Sequence, residues 1–405
     1  MSIIVQKYGG SSVADIEKLG TVADKVVAAR RAGHDVVVVV SAMGKTTENL
    51  LALAREAGAS GGSSEPPRRE LDMLISTGER VSMALLSIAI QARGHEAISF
   101  TGSQSGIITN DRHFDARILE VRAHRIEDEL ARGRIVIVAG YQGMSYKREI
   151  TTLGRGGSDT TAVALAAALG AERCEIYSDV DGVYSADPNS VVAARHLPEL
   201  DYRTMQEMAE CGAKVLNAQA VEWAKRHRVI LHARRTSDSV AVPGARETVI
   251  GPGDAFGAAP RAVVAQRRLA LLRAPAAAAC ALLDAAASAG LPLRDLSVHE
   301  GALVACAPLL NVPDLARVQR EILKSGVPDL SFETGFGAVS LVGVEVGARP
   351  ETLASALSAL DGPARWFAST PLRVTAILDE ARIGAVERAW HACFVGAEPA
   401  ERLSA

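Results

Sequence analysis

The stretch Thr151–Asp159, TTLGRGGSD, decides how this chain is interpreted. It sets three glycines around Arg155 and ends in Ser158 and Asp159. Glycine lets backbone N–H groups approach an anion closely, and an arginine presents a planar fork to a carboxylate or phosphate. The apolar run TTAVALAAAL follows at once, so the loop is predicted at a helix N-terminus, where anions are stabilised. The sequence therefore predicts an anion-binding turn.

A second loop, SDVDGVYSADP at Ser178–Pro188, carries acidic and aromatic residues after the strand pattern CEIYS. Two such loops in one chain point to a nucleotide and a small acid bound side by side. The glycine loop does not match GxGxxG, and GxxxxGK[ST] occurs nowhere in the chain. Both the dinucleotide-binding fingerprint and the P-loop are therefore disfavoured.

Polar and small residues also follow the other strand patterns. The stretches are IIVQKYGGSSV from Ile3, DVVVVVSAMGKTT from Asp35 and IVIVAGYQGMS from Ile135. In STGERVSMALL, Glu79 falls near the start of an apolar helix. Five consecutive valines predict a strand that is buried on both faces. In open α/β sheets, ligands bind at the carboxyl ends of the strands, so these polar residues are predicted to gather around one site.

On these stretches the chain resembles the aspartate kinases of the amino-acid kinase family. The resemblance is strong over roughly the first 250 residues and extends to the remainder only by general layout. The matching motifs, in chain order, are KYGGSSV, SAMGKTT, STGERVS, VAGYQG, TTLGRGGSDTTAVALAAALGA, EIYSDVDGVYSADP and GAKVLNAQAVEWAK.

The resemblance implies an α/β protein in which an amino-acid kinase fold precedes two ACT-like α+β modules. The kinase fold has a mostly parallel central sheet in a three-layer αβα arrangement. We expect a catalytic domain at residues 1–250, a linker at 251–262, and tandem ACT-like regulatory or dimerisation domains at 263–405. The Gly/Pro-rich TVIGPGDAFGAAPR marks the linker. Beyond it, the alanine-rich sequence shows the strand–helix–strand–strand layout twice.

The resemblance also implies a role for each candidate site residue. Lys7 is the main cation on the transferred phosphoryl group, and Asp159 orients Lys7 and the waters bound to Mg²⁺. Arg155 binds a substrate carboxylate, and Glu79 binds the α-ammonium group. The further substrate-binding residues are Ser41, Thr47 and Ser158. The nucleotide-binding residues are Lys7, Gly9, Gly10, Ser11, Ser178, Asp179, Tyr184, Asp187 and Lys214.

The expected cofactors are ATP and the Mg²⁺ that accompanies it. The sequence contains no His/Cys/Asp cluster with ligand spacing, so no protein-only metal site is predicted. The net charge is −3 with acids and bases interspersed, which disfavours nucleic-acid or membrane-surface binding. No apolar run reaches about 18 residues, and the start, MSIIVQKYGG, does not match a signal peptide.

The five cysteines are scattered and include no CxxC pair. We interpret them as reduced, buried thiols, and expect a cytoplasmic protein. The resemblance further implies a homodimer formed through the ACT-like modules, with L-aspartate and ATP as the small-molecule partners.

Two departures from the family concern regulation and nucleotide binding. Regulatory ACT modules carry an Asp-x-Pro-Gly turn and a later Asn-Ile pair, which cradle an amino-acid effector. Here the first module has LLRAPAAAA and GLPLRDLS, and the second has GARPETL and DGPARWF. We therefore predict weakened or lost feedback by lysine and threonine. Asn189 stands where the family usually has an arginine that reaches the phosphates, so ATP affinity is expected to fall unless Arg195 substitutes.

Three functions remain open from the sequence. The first is a kinase that makes 4-phospho-L-aspartate. The second is a kinase of the same fold acting on another amino acid or carboxylate, such as glutamate, N-acetylglutamate or a carbamate. The third is a catalytically silent regulatory or assembly subunit. Glu79 favours the first over an N-acyl substrate, which has no free ammonium group. The combination of Lys7, Arg155 and Asp159 argues against the third.

Overall fold

The computed structural model describes residues 2–60, 65–238, 246–253 and 259–396. The chain divides into two compact units. The first comprises Met1–Val183, His196–Glu210 and Lys214–Ala255, and the second comprises Tyr184–Arg195, Cys211–Ala213 and Phe256–Ala405.

The first part of the chain alternates strands and helices, as its sequence pattern predicts. The strands are β1 (Ile3–Tyr8), β2 (Asp35–Val40), β3 (Ala97–Phe100), β4 (Ile107–Thr109), β5 (Ile118–Val121), β6 (Ile135–Ala139), β7 (Gln142–Ser145), β8 (Ile150–Thr152), β9 (Arg173–Ser178), β10 (Val183–Tyr184), β11 (His196–Leu197), β12 (Glu199–Asp201), β13 (Leu231–Arg235) and β14 (Glu247–Gly251). The helices are α1 (Ile16–Arg31), α2 (Thr46–Ser60), α3 (Arg68–Ile75), α4 (Thr77–Gln91), α5 (His124–Ala131), α6 (Gly157–Ala168), α7 (Tyr202–Glu210) and α8 (Ala218–His227).

An eight-stranded sheet forms the centre of the first unit, in the order β12-β14-β13-β9-β1-β2-β6-β3. Among these described strands only β13 and β14 pair antiparallel. Even-numbered valines of β2 pack with α1 and α4 in one core. Side chains alternate along a strand, so Lys7, opposite Val39 and Ile176, faces the other side of the sheet. Helix α6 contacts β1, β2 and β9. The expected mostly parallel kinase sheet is confirmed.

A smaller sheet, in the order β5-β4-β7-β8, lies beside α3. The Gly/Ser/Pro-rich sequence around residues 57–69 predicts a loop, but this prediction is wrong at both ends. Helix α2 continues to Ser60 and α3 begins at Arg68; residues 61–64 lie outside the described part. Alanines at 57 and 59 favour helix strongly enough to extend α2.

The second unit contains one six-stranded sheet, in the order β16-β17-β15-β18-β20-β19. Its strands are β15 (Pro260–Pro275), β16 (Arg294–His299), β17 (Ala302–Pro308), β18 (Ser331–Gly343), β19 (Trp366–Thr370) and β20 (Arg373–Asp379). Its helices are α9 (Ala279–Ala289), α10 (Leu315–Leu323), α11 (Pro350–Ser358) and α12 (Ile383–Phe394). This order matches two ACT-like modules, as predicted.

The long strands β15 and β18 serve both modules. They pair with each other along most of their length, with register shifts near Gln266–Ala270. One half of this pair packs with α9 and α10, and the other half packs with α11 and α12. Within the predicted linker, β15 already begins at Pro260, and residues 254–258 lie outside the described part.

The cysteines only partly follow the prediction of buried thiols. Cys174, Cys211 and Cys306 are buried, whereas Cys280 and Cys393 are exposed. The prediction was therefore wrong for the latter two. Both lie on helices of the second unit, α9 and α12, where only one face of each helix meets the sheet.

One helical stretch, Arg68–Gln91, is long and apolar enough to cross a membrane, judged over the residues that the structure describes. Half of its most apolar window is buried within the chain. Leu71, Ile75 and Leu86 lie in hydrophobic clusters of the first unit. A buried core helix meets the same criteria, so this stretch is weak evidence for a membrane span.

Candidate active site

Lys7 and Asp159, the two residues predicted to act on the phosphoryl group, are in contact. Strand β1 carries Lys7 near its carboxyl end, and its Nζ lies 2.7 Å from Asp159 Oδ1 in the first turn of α6. The two side chains are only 11% and 7% exposed. A cation held by a carboxylate in this way has little freedom to move. The pair therefore fixes a positive charge beside a helix N-terminus, a position that favours anions.

The glycine loop before α6 needs glycine for steric reasons. Gly154 and Gly156 have φ values of +72° and +74°, which residues that carry a side chain rarely adopt. A Cβ on Gly156 would lie 2.7 Å from the Cβ of Asn217. Asn217 Nδ2 donates to the Arg155 carbonyl at 2.7 Å. The loop backbone is therefore fastened to the start of α8, with the Arg155 side chain exposed above it.

Glu79 is a buried carboxylate that the chain pairs only in part. It lies on α4 with 3% exposure. Its Oε1 accepts from the Ala42 N–H at 3.1 Å, while its Oε2 is buried and has no hydrogen-bond partner among the described residues. Burial raises the pKa of Glu79 to about 7, against the opposing effect of backbone N–H groups. A cationic ligand would satisfy Oε2 and stabilise the charged form.

The turns after β1 and β2 are in contact, and they bring several predicted residues together. The Gly44 N–H donates to the Gly10 carbonyl at 3.1 Å, and the Ser41 N–H donates to the Tyr8 carbonyl at 3.1 Å. A Cβ on Gly10 would lie 2.8 Å from the Ala42 carbonyl oxygen. A Cβ on Gly9 would lie 3.5 Å from Lys7 Nζ. The backbone at Gly9 therefore lies beside the Lys7 cation. Gly10 lies beside Ala42, whose N–H donates to Glu79 Oε1.

Three other predicted residues occupy the surroundings of these turns. Ser158 is buried, and a Cβ on Gly140 would lie 2.7 Å from its Oγ. Thr47 is half-buried in the first turn of α2, and Ser11 is exposed. The Ser158 hydroxyl therefore lies against Gly140 at the end of β6, and it leaves no room for a side chain at position 140.

The predicted nucleotide-binding residues are divided between the two units. In the first unit, Ser178 ends β9, and its carbonyl accepts from the Thr236 N–H at 2.8 Å. Thr236 Oγ1 lies 2.6 Å from Ser12 Oγ, which links Ser178 to the turn after β1. Asp179 and Lys214 are exposed.

Tyr184 and Asp187 belong to the segment Tyr184–Arg195 of the second unit. Asn189, the departure from the family pattern, bonds locally in this segment. Its N–H and its side-chain Nδ2 both donate to Asp187 Oδ1 at 3.0 Å. Asn189 therefore holds the Asp187 carboxylate within the loop.

A buried polar network supports the strands that carry Lys7 and Ser178. On the face of the sheet opposite Lys7, Glu175 accepts from Gln6 Nε2, Arg173 Nε and Arg234 Nη1, each at 2.8 Å. Burial by itself raises the pKa of Glu175, but the arginines and Gln6 outweigh it and leave the pKa lowered. The charged Glu175 therefore joins β1, β9 and β13 at the level of the site.

Sequence reasoning missed Tyr141 and Asn217. Asn217 accepts from the Gln219 N–H at 2.8 Å and caps α8. An asparagine before the apolar helix pattern AQAVEWAK was a readable N-cap signal. Tyr141 stands between Gly140 and Gln142 in a stretch that drew attention only for its glycines. No local pattern indicated its left-handed backbone, with φ of +69°.

Comparison with known proteins agrees with this geometry. The model of the amino acid kinase family matches residues 2–232. An aspartokinase of Mycolicibacterium smegmatis is 55% identical over 235 residues, which span 58% of this chain and 55% of that protein. An aspartokinase of Mycobacterium tuberculosis is 40% identical over 410 residues, which span 97% of this chain and 96% of that protein.

A solved structure extends the likeness of the fold to both units. The structure of E. coli aspartokinase III in complex with aspartate and ADP has a TM-score of 0.85 at 24% identity. The match covers 96% of this chain and 99% of that chain. The chain therefore belongs to the amino acid kinase family and, within that family, to the aspartokinases.

Proposed function

We propose that this chain transfers the γ-phosphoryl group of MgATP to the β-carboxylate of L-aspartate, giving 4-phospho-L-aspartate. The observation that carries the substrate assignment is the buried Glu79 Oε2, which has no hydrogen-bond partner within the described part of the chain. An α-ammonium group is the ligand that matches a buried carboxylate oxygen, because it supplies both the charge and the hydrogen-bond donors. Relatives over nearly the whole chain are aspartokinases.

The transfer itself needs positioning and charge neutralisation rather than a general base. A carboxylate is already ionised and nucleophilic at neutral pH. In phosphoryl transfer, negative charge is spread over the transferred group, so fixed cations and N–H donors stabilise it. Lys7 supplies the cation and Asp159 holds it in place. In the turn after β1, Gly10 would offer its N–H to the phosphates, whereas the predicted role of the Gly9 N–H is corrected, because it donates to the Tyr177 carbonyl at 3.2 Å. ATP would bring Mg²⁺, and the Asp159 carboxylate is suited to accept hydrogen bonds from the waters bound to that ion.

The other substrate-binding roles rest on placement near this centre. Arg155 would bind a carboxylate of aspartate, and Ser158, Thr47 and Ser41 would donate hydrogen bonds to it. Ser11, Ser178, Asp179, Tyr184, Asp187 and Lys214 would bind the nucleotide. Hydrogen bonds between Ser178 and Thr236 and between Thr236 and Ser12 bring Ser178 close to the turn after β1, which also carries Ser11.

The second unit is proposed to have lost most amino-acid feedback. In the predicted effector segment, Asp295 pairs with Arg294 at 2.9 Å and also with Arg373. Arg294 Nη1 in turn donates to Gln266 Oε1 at 2.5 Å. A free lysine or threonine would have to compete with these internal pairs.

The second unit is also proposed to join two copies of the chain. Strand β16 is an edge of the six-stranded sheet, and Leu296 and Val298 on it are 44% and 54% exposed. An exposed apolar edge strand is a template for pairing with another strand. The proposal is therefore a cytoplasmic homodimer. Each chain would have its catalytic domain at residues 1–250, a linker at 251–262 and the ACT-like domains at 263–405. Light scattering of the intact chain and of Val298→Glu tests the dimer; equal masses at one-chain size contradict it.

The activity is tested by trapping the acyl phosphate. Purified chain, MgATP, L-aspartate and hydroxylamine should yield the hydroxamate, and omission of Mg²⁺ should abolish it. Millimolar lysine plus threonine should leave the rate nearly unchanged. Product from glutamate or N-acetylglutamate but not from aspartate would favour a kinase for another acid. No product from any acid would favour a silent subunit.

A further inference from the structure

Glu79 lies three residues after the junction between α3 and α4. Ser76 forms this junction with helical backbone angles, φ of −63° and ψ of −13°, and its N–H donates to the Asp72 carbonyl at 3.1 Å. The two helices therefore form one continuous stretch, Arg68–Gln91. Ser76 and Asp72 are both fully buried. The groups that hold these two residues determine where the stretch presents Glu79.

Two side chains of the smaller sheet bond to this stretch one helical turn apart. Gln142 of β7 and Thr152 of β8 lie directly opposite each other in an antiparallel pair, so their side chains share one face of the sheet. Gln142 Nε2 donates to the Ser76 carbonyl at 2.8 Å, and Thr152 Oγ1 donates to Asp72 Oδ1 at 2.5 Å. Since residues four apart are neighbours on a helix, one cross-strand pair holds two successive turns.

Both bonds are buried, and their surroundings hold them in place. Gln142 is 2% exposed, and a Cβ on Gly102 would lie 3.0 Å from its Cγ. Asp72 also accepts from the Phe114 N–H at 3.1 Å and lies 2.7 Å from His113 Nδ1. Hydrogen bonds weaken steeply when their geometry is distorted. The helical stretch therefore cannot slide along its axis without weakening both bonds.

The turn after β2 sets a second constraint on the same helix. A Cβ on Gly78 would lie 2.8 Å from the Cβ of Ala42, so the first turn of α4 packs closely against this turn. The Ala42 N–H donates to Glu79 Oε1 at 3.1 Å. A shift of the helix would therefore change the distance between the Glu79 carboxylate and its backbone donor.

Resting on the proposed function, we propose that Gln142 and Thr152 are positioning residues for ammonium recognition: they hold the helical stretch so that Glu79 Oε2 stays where the ammonium group binds. Leu71 and Ile75 also anchor the stretch in an apolar cluster, but hydrophobic contact is non-directional and fixes its axial position less well. A misplacement of about 1 Å costs about 100-fold in rate. Neither Gln142 nor Thr152 is assigned a contact with substrate.

The test compares kcat/KM for L-aspartate with kcat/KM for succinate, both measured by ADP release. Succinate lacks the ammonium group, so a displaced Glu79 should lower the value for aspartate and leave the value for succinate. A purely structural defect should lower both values together. Where succinate is turned over too slowly, its Ki against aspartate replaces its kcat/KM in the comparison.

Gln142→Leu removes the donor to Ser76 and should lower the aspartate-to-succinate ratio about tenfold. Thr152→Val removes one of several donors to Asp72 and should lower the ratio about threefold. Thr152→Ser keeps the hydroxyl and should retain the wild-type ratio. The KM for MgATP should keep its wild-type value in all three variants.

Thr109→Val is the matched control, because Thr109 Oγ1 lies 2.5 Å from Thr151 Oγ1 in a buried hydrogen bond of the same sheet. It should lower the thermal midpoint and keep the ratio. A wild-type ratio in Gln142→Leu and Thr152→Val, or an equal decrease in Thr109→Val, overturns the inference. If Gln142→Leu does not fold, Thr152→Val and Thr152→Ser decide. A wild-type chain that releases no ADP with aspartate overturns the proposed function itself.

Discussion

Glu79 in the first unit and Asp295 in the second are both carboxylates with little access to solvent, but their partners differ. Asp295 pairs with Arg294 and Arg373 from its own unit. Glu79 Oε1 accepts from the Ala42 N–H, and its second oxygen has no partner among the described residues. The first arrangement stabilises a fold, whereas the second is costly until a ligand arrives. The difference separates a binding site from a structural ion pair.

The largest effect is expected at Lys7. Lys7→Ala removes the cation beside the transferred group and should lower kcat by about 10³-fold or more, the size seen for a lost charge-stabilising group. Hydroxamate formation measures the rate. Lys18→Ala, at an exposed lysine on α1, is the matched control and should keep the wild-type rate. A Lys7→Ala rate within tenfold of wild type contradicts the assignment.

The next effect concerns substrate binding at Glu79. Glu79→Gln keeps the shape but removes the charge, and it should raise the KM for aspartate about 100-fold, the cost of an unpaired ammonium group. The KM for MgATP should not change. Glu17→Gln, at an exposed position on α1, controls for loss of an acidic residue. Equal increases in both KM values would indicate a structural defect instead.

Acid pH should weaken aspartate binding through the same residue. The pKa of Glu79 is about 7 in the folded chain, so the residue is mostly protonated below that pH and cannot pair with an ammonium group. The KM for aspartate should therefore rise about tenfold per unit as the pH falls below 7, and Glu79→Gln should flatten this profile. A profile in Glu79→Gln that is as steep as wild type would place the titration elsewhere.

The raised pKa also carries a cost in stability. The folded chain binds the Glu79 proton more tightly than the unfolded chain does, so stability is lost as the pH rises from about 4.5 to 7. At pH 8, Glu79→Gln should therefore be more stable than wild type, by roughly 3 kcal/mol at most. Thermal midpoints at pH 5 and pH 8 measure this. A variant that is less stable at pH 8 contradicts the picture of an unsatisfied carboxylate.

The smallest effect on catalysis is expected in the second unit. Arg373→Met leaves Asp295 with a single arginine and should lower the stability by roughly 1–3 kcal/mol, without changing either KM. Arg388→Met, at an exposed position on α12, is the control in which neither the thermal midpoint nor the KM values should change. If Arg373→Met raised the KM for aspartate as far as Glu79→Gln does, the contrast between the two carboxylates would fail.

The strand ends were predictable from the sequence, and the contacts between distant segments were not. Apolar strands followed by glycines and serines predict that polar residues gather at one edge of the sheet, because parallel strands end at one edge. The contact of Lys7 with Asp159 was implied only by the resemblance to the aspartate kinases. The pair Asp295 and Arg373 is separated by 78 residues and has no local signature. Thr152 of β8 likewise donates to Asp72 of α3 at 2.5 Å across 80 residues, and no local pattern indicates this contact.

The most direct test of the central claim compares L-aspartate with succinate, which keeps both carboxylates but lacks the ammonium group. If Glu79 Oε2 receives that group, wild-type kcat/KM should be at least about 100-fold higher for aspartate, and Glu79→Gln should bring the two values close together. Comparable values for the two acids in the wild-type chain would contradict the account.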